Sequence, residues 1–160
     1  MRKRFLTVLI CVVALSLSTL AASKKSAKKA APSGPGPDKA YMQKIWDGWG
    51  TLDPSRVAQF YAQGPHTFYD IAPLKYGSWD EYAKGVSKEL ADYKSGTFTV
   101  NDDAQIHPAG EYFWATATVK EDAMLKSGKR EMATFRWTVI FEKQEGKWLI
   151  VHEHVSEPLP

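Results

Sequence analysis

Lys147 to Ser156 runs Lys-Trp-Leu-Ile-Val-His-Glu-His-Val-Ser, a pattern that no half-exposed strand can carry. Side chains of a strand alternate between faces, so one face takes Trp148, Ile150, His152, His154 and Ser156 while the other takes Leu149, Val151, Glu153 and Val155. Both faces are apolar enough to need cover. The preceding segment, Arg130 to Glu142, is equally apolar, and Gln144, Glu145 and Gly146 join the two. A hairpin of this kind has to sit inside a sheet, with helices or a second molecule over it.

The residues before it supply the helices. Tyr41, Met42, Ile45, Trp46 and Trp49 recur at helical spacing, and Gly48 and Gly50 mark the expected end of that helix. Asp53 can cap a second, with Pro54 at its first position and Val57, Phe60 and Tyr61 following. Gly64-Pro65 stops it, and His66 to Ile71 reads as a first strand. Ser78 and Glu81 form a capping box for a third helix with Trp79, Tyr82, Ala83, Val86 and Leu90 on one face. After Ser95-Gly96 the pattern changes to strands: Thr97 to Val100, a short piece at Ile106, Glu111 to Lys120, Arg130 to Glu142 and Lys147 to Val155. Helices first and antiparallel strands after them is the α+β arrangement, with helices on one face of a curved sheet.

The first forty residues are of another kind. Arg2, Lys3 and Arg4, an apolar run from Phe5 to Leu17 and the small residues Ser18, Thr19, Ala21 and Ala22 have the order of a secretory signal peptide, expected over residues 1–22. Residues 23–39, built from Lys, Ala, Ser, Gly and Pro, read as a flexible linker because they hold no large apolar side chain. The folded domain is expected over residues 40–160. The only cysteine, Cys11, leaves with the signal peptide, so no disulfide or thiolate site is available to the mature chain. The charge of +3 belongs to these segments too. Without them 13 basic residues face 17 acidic ones, a balance that argues against a nucleic-acid partner. An exported protein, periplasmic or secreted and without a membrane span once cleaved, is the expectation.

Tyr76-Gly77-Ser78-Trp79-Asp80-Glu81-Tyr82, together with Phe135-Arg136-Trp137-Thr138 leading to Trp148 through Ser156, resembles the SnoaL-like proteins of the nuclear transport factor 2-like superfamily. The resemblance implies three N-terminal helices packed on a strongly curved, mostly antiparallel sheet that forms a cone with an internal pocket, and an outer face that commonly serves dimerisation. Relatives by fold include ketosteroid isomerase, scytalone dehydratase and polyketide cyclases, so the fold alone does not choose between binding and catalysis.

The hairpin register decides which side chains reach the pocket. A two-residue turn would require positive φ at Glu145, which costs a residue with a Cβ about 1 kcal/mol. The expectation is therefore a three-residue turn, with Thr138 opposite His152, Arg136 opposite His154 and Trp137 opposite Glu153. Phe135, Trp137, Val139, Phe141, Leu149, Val151, Glu153 and Val155 then form the core face. Glu153 is its one charged member, either an acid or base of the pocket or a carboxylate reaching solvent at the strand's end. Asp70 shares a face of the first strand with Phe68, and in the family an Asp often closes this strand near the pocket; the alternative is a turn ligand before Pro73. Tyr61, Phe68, Trp79 and Trp137 are candidate walls for an apolar ligand, or plain core.

Arg136, Thr138, His152 and His154 form an alternative polar cluster on the outer face. His152 and His154 could share an ion, but no third ligand is near in sequence, so no metal is expected, nor any cofactor. The sequence carries no nucleophile elbow and no phosphate-binding loop. Two functions fit: a domain that binds a small hydrophobic molecule, homodimeric, without catalysis; or a proton-transfer enzyme of isomerase, dehydratase or cyclase type with Asp70 or Glu153 as base.

Overall fold

The computed structural model describes residues 35–159. The expected signal peptide and residues 23–34 of the expected linker lie outside them. Residues 35–39 are already part of the fold: Trp148 donates its indole N–H to the Pro35 carbonyl at 3.0 Å, and Pro37 is buried. A Cβ on Gly36 would lie 2.4 Å from the Phe113 ring, so any other residue here would have to push that ring aside.

Asp38 caps the first helix, α1 (Lys39–Trp49), by accepting from Tyr41 N at 2.7 Å. Its buried stripe is Met42, Ile45, Trp46 and Trp49, and it lies across the second strand. Gly48 does not end the helix. It stands inside the last turn, where a Cβ would meet Val57 Cγ1 at 2.4 Å. Asp53 caps the next segment as expected, but that segment coils as two short 3-10 turns, Pro54–Arg56 and Ala58–Phe60. A two-residue strand follows, β1 (Phe68–Tyr69), shorter than the expected 66–71. The capping box opens α2 (Trp79–Leu90): Glu81 N donates to Ser78 Oγ at 3.2 Å, and the Glu81 carboxylate accepts from Gly77 N at 2.7 Å.

Five further strands complete the domain: β2 (Tyr93–Val100), β3 (Gln105–Ala109), β4 (Tyr112–Leu125), β5 (Arg130–Gln144) and β6 (Lys147–Ser156). They form one curved, open sheet in the order β1-β6-β5-β4-β2, with β3 also on β4. All pairs are antiparallel except β1 with β6. Small residues of β4 stand opposite large ones of β5, Ala117 facing Trp137 and Ala115 facing Val139. The alternation makes room under the helices for an indole.

The terminal hairpin departs from the expected register. Its turn is the two-residue kind, with φ of 50° at Glu145 and 82° at Gly146, and Gln144 pairs Lys147. Thus Trp148 and Ile150 are buried, while Leu149 and Val151 are only half-buried. The register then slips again: Phe141 pairs Ile150 but Ile140 pairs His152, leaving Val151 as a bulge. Two shifts of one residue restore the parity. Glu153 and Val155 turn inward as expected, although Glu153 now stands opposite Val139 and Trp137 opposite Val155. On the outer face Thr138 pairs His154 and Arg136 pairs Ser156, not the partners anticipated.

Candidate functional site

Glu153 is the one buried charged side chain among the described residues, at 1 % exposure. β6 points it inward beneath α1, where indoles and phenols supply its partners. Tyr61 donates to its Oε1 at 2.7 Å and Trp137 Nε1 to its Oε2 at 2.9 Å. Trp49 Nε1 in turn donates to the Tyr61 hydroxyl at 3.1 Å. Burial pushes the Glu153 carboxyl up to about 7 against the pull of these donors, and the charge of Asp70 adds to the rise. Of the two readings, a carboxylate in solvent at the strand's end is therefore not what the fold builds.

Asp70 ends β1 and does two things at once. Its Oδ1 accepts from Ile71 N at 2.8 Å, the local turn bond, while its Oδ2 accepts from the Tyr82 hydroxyl of α2 at 3.0 Å. Burial raises its carboxyl above the ordinary aspartate value, and those two donors oppose the rise.

A cleft of about 860 Å³ opens above this group. Trp46, Trp49, Tyr82, Phe98, Phe135 and Val155 wall it, and Asp70 stands at its edge. Of the side chains expected to line a pocket, Asp70 does so; Tyr61, Phe68, Trp79, Trp137 and Glu153 are packed in the layer beneath. Tyr61 stacks on Trp79 at 4.4 Å, Phe68 on Tyr82 at 5.4 Å, and Trp137 meets Trp46 edge-on at 5.4 Å. These rings seal Glu153 from the cleft. Trp46 contributes a further feature: its indole N–H is buried with no acceptor among the described residues. An unmet buried donor costs about 1–3 kcal/mol.

The rim is acidic. Glu89, Asp92, Glu121, Glu131 and Glu157 border the cleft; of its two cations, Lys129 pairs with the rim's own Glu131 at 2.8 Å and Arg130 with Asp122 outside it at 2.7 Å. Burial pushes Glu121 up to about 7, helped by Glu131 and Glu157. None of these rim carboxyls stood out in the sequence, because they come from α2, the link from α2 to β2, β4, β5 and the tail beyond β6, each on an ordinary polar position.

His152 and His154 point away from the cleft interior. His152 Nδ1 is 2.7 Å from the Thr67 carbonyl, and Tyr69 meets both imidazoles edge-on at 5.6 and 5.7 Å. Among the described residues no three His, Cys, Asp or Glu side chains come together in a way that could hold a metal ion.

The sequence profile of the SnoaL-like domain matches residues 44–160. The chain belongs to the SnoaL-like domain family. Solved structures place this SnoaL-like domain in the wider nuclear transport factor 2-like fold. A nuclear transport factor 2-like superfamily protein from Salmonella enterica shares 19% identity with a TM-score of 0.66, over 76% of this chain and 92% of that one. A ketosteroid isomerase-like protein from Erwinia carotovora atroseptica shares 12% at a TM-score of 0.63, over 76% and 93%. A proposed dehydratase from Streptomyces avermitilis shares 11% at 0.66, over 76% and 95%. At such identities the likeness is one of fold. No curated protein matches the chain.

Proposed function

We propose that this SnoaL-like domain is exported and binds a small, largely hydrophobic molecule in the cleft between α1, α2 and the sheet. The observation that carries the proposal is the cleft itself: about 860 Å³ walled by aromatic rings, a size and lining suited to one small organic ligand. Its acidic rim disfavours anions, so the ligand is a neutral or cationic hydrophobe. The unmet Trp46 N–H suits a ligand that carries a hydrogen-bond acceptor such as a carbonyl.

Native mass spectrometry of protein purified from its own cells tests this. A retained hydrophobic molecule, lost in Phe98→Ala or Phe135→Ala, is the expected result; an empty protein that takes up no hydrophobe at millimolar concentration would refute the proposal. N-terminal sequencing of the same material should find the first 21 or 22 residues gone.

A second reading is favoured by one further observation. Asp70 presents a partly desolvated carboxyl with a raised pKa at the cleft edge, the property wanted of a general base near neutral pH. In this reading the domain moves a proton on its bound ligand, and Asp70→Asn removes turnover while leaving binding nearly intact. Homodimerisation through the outer face of the sheet belongs to the same proposal, since Trp114, Tyr112 and Met132 are exposed there.

A further inference from the structure

One carboxyl stands on the concave face of the sheet without a partner. β4 buries Ala115, Ala117, Val119 and Ala123 on that face, and the same alternation carries Glu121 inward between Val119 and Ala123. On the neighbouring strands it stands beside Phe98 of β2 and Ala133 of β5, neither of which can pair with a charge. Glu121 is half-buried, lines the cleft, and makes no hydrogen bond or ion pair among the described residues. A second group of the same wall is also unmet. The Trp46 ring packs on Phe98 with centroids 5.2 Å apart, and its buried indole N–H has no acceptor among the described residues. A donor without an acceptor and a carboxyl without a counter-charge thus adjoin one phenyl ring.

We propose that the ligand of this cleft is an organic cation, an apolar body with an ammonium that seats against Glu121 and an oxygen acceptor that takes the Trp46 N–H. This rests on the reading that the cleft holds a small hydrophobic molecule, and it adds that molecule's charge. Any ligand that fills the cleft strips water from Glu121, and an ionised carboxylate without a counter-charge is costly to desolvate. An ammonium replaces that water with an ion pair. A carboxylate or phosphate on the ligand would meet like charge instead. The indole and phenyl faces of Trp46, Trp49, Phe98 and Phe135 in the wall attract cations as well.

The groups that share the cleft with Glu121 agree from every side. β5 contributes Glu131, the tail beyond β6 Glu157, α2 Glu89, the link after it Asp92, and the end of β1 Asp70. β2 contributes Tyr93, whose hydroxyl donates to Glu131 at 2.9 Å, and α1 only the indoles of Trp46 and Trp49. The cations Lys129 and Arg130 are held by Glu131 and Asp122. Burial pushes the Glu121 carboxyl up to about 7, and Glu131 and Glu157 add to the rise. Without a ligand it is thus partly protonated near neutral pH. A bound cation favours the ionised form and lowers that value, so binding releases a proton and weakens as pH falls below about 7. A neutral ligand that accepted a hydrogen bond from the protonated carboxyl would show the opposite sign.

The test is calorimetric titration of the purified protein, at pH 6 and pH 8, with aryl ketones of one size that end in an ammonium, a hydroxyl or a carboxylate. The ammonium ketone should bind tightest and the carboxylate ketone weakest. The affinity of the ammonium ketone should fall about tenfold from pH 8 to pH 6, as one carboxyl with a midpoint of about 7 takes up its proton. Its lead should survive about 0.5 M salt, which screens a diffuse surface field. Glu121→Gln should abolish the pH dependence and bring the ammonium and hydroxyl ketones to nearly equal affinity. A hydroxyl ketone that binds tightest in the parent, or an ammonium ketone that binds more tightly at pH 6 than at pH 8, would overturn the cation and leave the hydrophobe-binding cleft standing. An ammonium preference unchanged in Glu121→Gln would overturn the assignment of its seat. Failure of all the ketones to bind would refute the cleft as a hydrophobe site, and the cation with it.

Discussion

Glu153 sets a penalty on alkaline conditions that ordinary paired carboxylates do not. In the unfolded chain its carboxyl ionises near 4.5, and in the fold burial raises this to about 7. The folded state therefore binds more protons between those values, and stability falls as pH rises through that window. The size is at most about 3–4 kcal/mol, since each pH unit between those values is worth about 1.4 kcal/mol. Urea unfolding of the parent and of Glu153→Gln at pH 5 and pH 8 should show the parent losing stability between the two and the variant losing much less. Parallel behaviour would mean that Glu153 is ionised in the fold throughout. Trp137 is a different case. It does not wall the cleft, so Trp137→Ala should act as a core truncation and cost about 3–5 kcal/mol, measurable by the same unfolding. The anomaly of Glu153 was legible in the sequence, as the single charge on an apolar alternation. Its partner Tyr61 was not, because 92 residues separate them and nothing local marks a phenol as a carboxyl's donor.

At the scale of elements, α2 and the strands beyond Ser95 were legible because cap and periodicity agree there. The terminal hairpin was legible in its existence and not in its register. Positive φ at Glu145 costs only about 1 kcal/mol, and the fold accepts that cost with φ of 50° there. Glu145→Gly should thus stabilise the domain by about 0.5–1 kcal/mol, read from the denaturation midpoint; a loss of stability would show that the Glu145 side chain contributes more than its backbone costs. Val151 carries no mark of a bulge, being a good strand residue on both sides of the slip. Parity is what the fold preserves: the turn inverts it, the bulge restores it, and Glu153 ends inward. Ser78→Ala should cost α2 about 1 kcal/mol through loss of the cap, with the Glu81 bond to Gly77 remaining.

For the whole molecule, the order of helices and strands was enough to anticipate a curved sheet under helices, whereas the position of the cleft was not. The cleft depends on how far α1 and α2 stand from β2 and β5, which follows from ring packing among residues distant in sequence. The proposed homodimer belongs at this scale. Trp114 is 40% exposed and stacked on His107 at 4.2 Å, so Trp114→Lys should shift the sedimentation coefficient from dimer to monomer at tens of micromolar while the thermal transition persists. A parent that sediments only as monomer would refute the pairing.

The last strand holds the first-made half of the domain together. Its Trp148 donates to the Pro35 carbonyl and accepts from the Tyr41 hydroxyl, its Ile150 carbonyl accepts from Ala62 N, and its Glu153 and His154 pair with Phe68 and Tyr69. Of the elements of this domain, β6 is synthesised last. α1 and the first 3-10 turn can settle on β2 and α2 earlier, but the second 3-10 turn and β1 have no strand to pair with until β6 is made, and the interior around Glu153 can form only then. Such an order delays completion of the core until β6 is made, and a chain whose core is incomplete can still be threaded through a narrow channel.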